Sequence, residues 1–220
     1  MEIEIIPTVF SLDKKTFDEK LRKLSFSSKL HIDFMDGIFV NSKSIELNKM
    51  DSLLDLKEKH LEIHLMAKNP NKYAKEVKTL GIKGVLIQYE AFSSDDEFEN
   101  SIDYFKERGL YVFAVLNPAT SHKIIYPFIE KLEGVMLMSV WPGMEGQSFI
   151  ESTIEKIKNI RKDHPNFNIQ VDGGIKLSNL ENIIDAGANR LCIGSAISSN
   201  ENPEKIYKQM VELAQKKQKV

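Results

Sequence analysis

Four residues of types that bind divalent metals recur at one kind of position in this sequence. His31 and Asp33 stand two apart in the apolar run Leu30-His31-Ile32-Asp33, and residues two apart on a β-strand project from one face. His64 lies in the similar run Ile63-His64-Leu65-Met66, and Asp172 ends Gln170-Val171-Asp172. Two imidazoles and two carboxylates meeting at one place form a nitrogen and oxygen site suited to a first-row divalent ion. Each residue alone has a plainer explanation. A histidine at a strand end is often only hydrogen-bonded, and an aspartate there often caps the next helix. Their joint placement is what points to a site.

Other polar or small residues share this address. Ser11, Asn117 and Ser139 fall at or just after the ends of β-like runs. Val171-Asp172-Gly173-Gly174 and Ile193-Gly194-Ser195-Ala196 are glycine-bearing run ends, where backbone amides can approach an anion closely. The segment Trp141-Pro142-Gly143-Met144-Glu145-Gly146-Gln147 reads as a mobile loop over the site, or else as a plain turn. Met35, Met66 and Met138 serve equally well as core filler or as pocket lining. His60, His122 and His164 are placed on helices or loops at the surface.

Elements that would position these groups alternate along the whole chain. Eight β-rich runs are expected over residues 3–10, 29–33, 61–66, 84–89, 111–116, 134–140, 168–172 and 190–194. Amphipathic helical patterns occupy 14–24, 50–59, 71–80, 103–108, 124–132, 151–161, 179–186 and 203–214. Pro70 marks a helix start, while Gly81, Gly109 and Gly187 mark helix stops. Continuously apolar strands, each followed by a helix, imply a buried parallel sheet. Eight such units favour an α/β fold, a (β/α)8 TIM barrel, over an open doubly wound sheet. In a barrel the active site lies at the C-terminal ends of the strands, and phosphate commonly sits at the loops after strands 7 and 8. The Gly173, Gly174, Gly194 and Ser195 segments hold that address.

Length and composition agree. The 220 residues suit one barrel domain over 1–220, and 42% hydrophobic residues supply its core. Thirty basic and 32 acidic residues are intermixed, which leaves no basic face for nucleic acid. Lys216, Lys217 and Lys219 read as a solvated helix end. The single Cys192 lies in an apolar run and reads as a buried structural thiol, which fits a reducing compartment. No apolar run reaches the roughly 18 residues of a membrane helix, and Glu2 and Glu4 interrupt any signal-like core. A cytoplasmic protein is expected.

At these residues the sequence resembles the ribulose-phosphate 3-epimerase family along nearly its whole length. Pro7-Thr8-Val9-Phe10-Ser11 is similar to the family's opening strand, and His31-Ile32-Asp33-Phe34-Met35-Asp36-Gly37 matches its H-x-D-x-M-D-G. Ile63-His64-Leu65-Met66, Leu116-Asn117-Pro118-Ala119-Thr120, the P-G-x-x-G-Q of the loop, Val171-Asp172-Gly173-Gly174 and Gly194-Ser195-Ala196 follow in order. The resemblance implies one divalent ion per subunit held by His31, Asp33, His64 and Asp172, usually zinc or iron(II), with manganese or cobalt as further options. It implies that Asp33 and Asp172 are the proton-transfer pair. It also implies substrate contacts from Ser11, His64 and Met66, a closing loop bearing Gly143, Gly146 and Gln147, and a phosphate at Gly173, Gly174, Gly194 and Ser195. A phosphosugar substrate and a homo-oligomer go with it.

Several positions depart from the family pattern. Phe39-Val40-Asn41-Ser42-Lys43 stands where a proline and asparagine are usual. Gln88 replaces a histidine ahead of Tyr89-Glu90, Trp141 an asparagine, and Met144-Glu145 a phenylalanine-glycine. None of these removes a proposed ligand or proton carrier, but they bear on sugar preference and on the loop.

Inverting a carbon beside a carbonyl requires loss of its proton from one face and return to the other. Lewis-acid stabilisation of the enediolate and two opposed carboxylates would supply that chemistry. The expected activity is C3 epimerisation of a ketose phosphate, D-ribulose 5-phosphate foremost and D-allulose 6-phosphate as the alternative. Decarboxylase relatives on this fold carry a lysine two residues after the strand 2 aspartate; here that residue is Met35. A non-catalytic phosphosugar-binding barrel is the rival outside enzymology.

Overall fold

The computed structural model describes residues 1–56 and 58–218. Eight strands form it: β1 Glu4–Val9, β2 Lys29–Met35, β3 His60–Met66, β4 Gly84–Gln88, β5 Tyr111–Leu116, β6 Gly134–Met138, β7 Asn168–Asp172 and β8 Arg190–Ile193. All pair in parallel in sequence order, and β8 pairs back onto β1 with Glu4 opposite Arg190 and Pro7 opposite Ile193. That last pairing closes the TIM barrel and excludes the open sheet. Strand limits differ from the sequence expectation by a residue or two at the ends, as element ends usually do.

The helices are α1 Lys14–Lys23, α2 Ala74–Thr79, α3 Asp95–Lys106, α4 Ser152–Asp163, α5 Leu177–Asp185, α6 Ser195–Ser198 and α7 Pro203–Gln218. Local chemistry sets their ends. Asp13 caps α1 by accepting from the Thr16 amide, and Lys20, Arg22 and Lys23 complement the dipole of its last turn. Phe17 and Leu21, four apart, turn inward from that helix. Ser94 caps α3, and Asp95, Asp96 and Glu97 follow in its first turn. The helix therefore begins eight residues before the expected 103, at an N-terminal signal that was readable.

Two expected helices are 3₁₀ instead. Residues 122–131 wind as 3₁₀ because Pro127 lies inside them and cannot donate an α-helical hydrogen bond. The 50–59 pattern becomes two short 3₁₀ segments, Leu47–Lys49 and Asp51–Leu56; Lys57 lies outside the described residues, as does Lys219 of the basic tail. Another 3₁₀ turn, Pro70–Tyr73, precedes α2.

Apolar side chains fill two regions. The larger lies between strands and helices, where Ile32, Ile63, Val85, Val135 and Val171 meet Phe17, Phe98, Ile157 and Leu180. Each such burial contributes about 1.5–3 kcal/mol. A smaller cluster of Ile6, Leu86, Phe113, Val115, Met136, Met138 and Cys192 fills the barrel interior. The interior floor is polar. Glu62, only 1% exposed, accepts from Gln170 Nε2 at 2.7 Å and from the Tyr111 hydroxyl at 3.0 Å, and pairs with Arg190. His60 corrects the surface assignment: it begins β3, stacks on Tyr111, and its Nε2 lies 2.7 Å from that hydroxyl.

Candidate active site

The four candidate ligands converge. In the register of β2 and β3, Asp33 stands opposite His64. His64 Nδ1 lies 3.2 Å and His31 Nε2 3.4 Å from Asp33 Oδ1. One ligand atom from each of His31, Asp33, His64 and Asp172 lies within 4.8 Å of the others, and all four residues are buried. This arrangement can hold a divalent ion. Both histidines are fully buried, while Asp33 and Asp172 reach a cavity of about 370 Å³ at the C-terminal mouth of the barrel.

The fit can be tested on the histidine nitrogens. His31 Nδ1 is held by Glu62 Oε1 at 2.8 Å, so Nε2 faces the cluster, and that atom is buried without a hydrogen-bond partner among the described residues. An orphaned buried nitrogen is costly unless a ligand takes it. The Glu62 carboxylate behind it is the outer partner that metal-bound histidines usually have. Gln88 occupies the matching place behind His64, with its amide nitrogen 3.0 Å from Nε2 and its own oxygen unpartnered. Rotating that amide presents the oxygen to an Nε2–H and leaves Nδ1 free toward Asp33. His31, Glu62 and Cys192 also cluster, but burial pushes the Cys192 thiol up to about 12, so it remains a neutral and poor ligand.

Electrostatics set the two aspartates apart. Burial alone would raise Asp33, but the His31 and His64 imidazoles beside it hold its carboxyl well below the usual range. Burial and then the neighbouring Asp33 charge raise Asp172 to about 7. Burial opposes charge on His31, yet the polar groups around it, Asp33 and Glu62 among them, raise it well above its ordinary value. Burial lowers His64. Glu62 is held down to about 2; burial works against this, and the His31 hydrogen bond and Arg190 prevail.

Met66, Gly143, Gly146, Gln147, Gly173, Gly174, Gly194 and Ser195 all line the cavity, as do Met35 and Met138. Gly174 has φ +64°, and a Cβ there would lie 2.4 Å from the Phe149 amide nitrogen, so no other residue fits beneath the loop. Gly194 is open: the Cβ position meets nothing nearer than a Glu145 oxygen at 3.7 Å. Gln147 donates to the Trp141 and Met144 carbonyls at 2.6 and 3.0 Å, folding the loop on itself. Ser11, like His31 and His64, does not line the cavity. Its hydroxyl donates to the Asp13 carbonyl at 2.8 Å and accepts from the Asp13 amide at 3.2 Å, which shapes the entry to α1. Thr8 lines the cavity from β1 instead, with its buried hydroxyl unpartnered. Sequence reading missed Thr8, although its inward register follows from Phe10 two residues on.

Comparison with known proteins agrees with this geometry. Residues 4–198 match the model of the ribulose-phosphate 3 epimerase family. The chain is 32% identical over 211 residues to the ribulose-phosphate 3-epimerase of Schizosaccharomyces pombe, covering 94% of this chain and 91% of that one. It is 30% identical over 213 residues to that of Escherichia coli K12, covering 94% and 93%. Among solved structures, 3-hexulose-6-phosphate synthase from Salmonella typhimurium superposes with a TM-score of 0.75 at 13% identity, over 98% of this chain and 100% of that one. KGPDC from Streptococcus mutans gives 0.74 at 10% identity, over 98% and 99%. At such identities those two likenesses show the barrel alone. Among the described residues no helix is long and apolar enough to cross a membrane. The full-length match, joined to a buried histidine and aspartate cluster at the barrel mouth, places this chain in the ribulose-phosphate 3-epimerase family.

Proposed function

We propose that the protein inverts C3 of a ketose phosphate, with D-ribulose 5-phosphate going to D-xylulose 5-phosphate. The observation that carries this reading is the pairing, at one cavity, of Asp33, held well below the usual carboxylate range, with Asp172, raised to about 7. A two-base inversion needs one proton shared by two carboxylates, one acting as base and the other as acid. Asp33 stands on β2 and Asp172 on β7, so they enter the cavity from different walls. In one direction Asp33 removes the proton from one face of C3 while Asp172 delivers its own to the other. In the reverse direction the two exchange roles.

His31, Asp33, His64 and Asp172 would hold a divalent ion, and their two imidazoles and two carboxylates suit zinc, iron(II), manganese or cobalt. When bound, such an ion supplies Lewis-acid polarisation of the sugar's oxygens. Glu62 and Gln88 orient the two histidines. Met35, Met66 and Phe10 pack as an apolar wall that keeps water from the reacting carbon. Backbone at Gly173, Gly174, Gly194 and Ser195 offers the phosphate its seat, supported by the open approach at Gly194.

The direct test is an assay of epimerisation and of solvent-deuterium incorporation at C3. D-ribulose 5-phosphate, D-allulose 6-phosphate and unphosphorylated ribulose would be compared, with metal content measured on the same sample. Fast turnover of the first, slower turnover of the second and very little of the third is the expected order. Equal rates with and without the phosphate contradict the phosphate seat, and absence of C3 exchange with any ketose contradicts the reaction.

Metal uptake should be pH-dependent. Asp172 is raised, so between about pH 4 and 7 the folded protein keeps a proton that the unfolded chain has released. The stability this gives the metal-free protein is complete below about pH 4 and lost as pH rises through about 7. An ion must displace the proton held by His31 and competes with the one shared by the two aspartates. Titration calorimetry with manganese at pH 6, in buffers of different ionisation enthalpy, should therefore show about one to two protons released per ion. Affinity should rise toward pH 7; pH-independent affinity with no proton release would refute the assignment.

Gln88→Leu removes the outer partner of His64 without touching a ligand atom. Metal affinity should fall by about 10–100-fold, as for other outer-shell partners. Gln88→His, which restores the usual family residue, should keep it. Unchanged affinity in the leucine variant would rule out an orienting role.

A further inference from the structure

The loop over the cavity carries an anion of its own. Glu145 reaches back to α1, where Lys20 Nζ donates to its two oxygens at 2.8 and 3.1 Å. The pair joins residues 125 positions apart and is only partly exposed, at 19% for the Lys20 side chain and 36% for that of Glu145. Lys20 is independently anchored at the rim, since the same ammonium donates to the Phe10 carbonyl at 2.8 Å. The carboxylate also lies on the open side of Gly194, with Oε1 3.7 Å from where a Cβ would stand. It lines the cavity together with Gly173, Gly174, Gly194 and Ser195.

A carboxylate at that place and a phosphate on the same backbone would be like charges a few ångströms apart, which is unfavourable in a partly buried setting. One must leave when the other arrives. Glu145 can leave, because Gly143 and Gly146 on either side have φ +119° and +81° and Trp141 and Met144 are exposed. Lys20 need not move, and an ammonium with three donors then faces whichever anion is present.

We propose that Glu145 is an internal stand-in for the substrate's phosphate and that Lys20 is a phosphate-binding residue for which the two compete. This rests on the phosphate seat proposed above. A phosphate monoester takes the Lys20 ammonium in place of the Glu145 carboxylate, and the displaced carboxylate rearranges the 141–147 loop that bears it. The seat is thereby selective for a dianion, which pairs with Lys20 more strongly than a single carboxylate does. Ligands without a strong anionic group leave the Lys20–Glu145 pair intact.

Binding of inorganic phosphate to the full-length protein tests this, by calorimetry and by fluorescence of Trp141, the chain's one tryptophan, which sits on the same loop. Glu145→Gln removes the competitor and should tighten phosphate by about fivefold or more. Lys20→Met should weaken it by about tenfold or more, as expected for loss of a charge-assisted hydrogen bond. Lys20→Arg should retain it, which separates charge from a folding defect. The double variant decides whether Lys20 acts directly. If it binds phosphate, Lys20→Met still weakens binding in the Glu145→Gln background; if it only tethers Glu145, it no longer does. Affinities within twofold of the parent in both single variants, weaker binding in Glu145→Gln, or no Lys20 effect in that background overturns the proposal. Failure of all the proteins to bind phosphate overturns the phosphate seat as well, and is distinguishable because no variant would then differ.

Discussion

Asp172→Asn should lose epimerisation by about 10²–10⁴-fold or more while the protein stays folded. The asparagine is nearly isosteric, and Asp172 is already about half protonated at pH 7, because burial and the Asp33 charge raise it to about 7. Above pH 7 the variant should even be the more stable of the two in metal-free form, since it escapes the cost of an ionised buried carboxylate. The loss is therefore chemical. Without a carrier on the β7 wall, a proton taken from one face of C3 cannot be returned on the other. Slow deuterium exchange at C3 without inversion should survive through Asp33 alone, and Asp33→Asn/Asp172→Asn should show neither. Because Asp172 is also a proposed ligand, each variant needs its metal content measured. If Asp172→Asn keeps its metal and epimerises near the parental rate, the two-base assignment is wrong.

His64→Gln should cost more than about 10² in metal affinity, and activity should fall with occupancy. His64 is fully buried, its Nδ1 faces Asp33 at 3.2 Å, and Gln88 holds its other nitrogen. Glutamine keeps most of the volume and a polar tip, so the barrel should fold. Protein purified without chelator would be assayed for zinc, iron, manganese and cobalt. Thermal unfolding with and without added ion provides a readout independent of catalysis, because an ion that binds only the native state raises Tm by an amount that grows with the logarithm of its affinity. The parent should gain Tm from the ion and the variant should not. Near-stoichiometric metal in His64→Gln would remove His64 from the ligand set.

Much of the site was readable before folding. His31 and Asp33 share a face because strand side chains alternate, and the glycines after strands 7 and 8 lie where barrels place phosphate. The same rule of two would have found more. Glu62, Gln170 and Gln88 are polar residues at inward positions of otherwise apolar strands, the first two standing two before His64 and Asp172. They form the floor that orients the histidines. Pro127 likewise announced that residues 122–131 would not be an α-helix. A serine at a strand end serves equally well as a turn former, and the Ser11 hydroxyl turns to Asp13.

Local and periodic features were written along the chain: eight strand and helix units, the faces on which ligands stand, and the motifs shared with the family. These follow from backbone geometry and side-chain alternation, which act over a few residues. The remainder came with closure of the barrel. Closure of β8 onto β1 brings Asp33 and Asp172 into one cavity from different walls. Burial then drives their carboxyls apart, one held down by two imidazoles and the other lifted by desolvation and its neighbour's charge. The Lys20–Glu145 pair over the phosphate seat spans 125 positions and leaves no local trace. Desolvation and long-range charge depend on what the closed barrel places nearby, and no spacing along the chain encodes that directly.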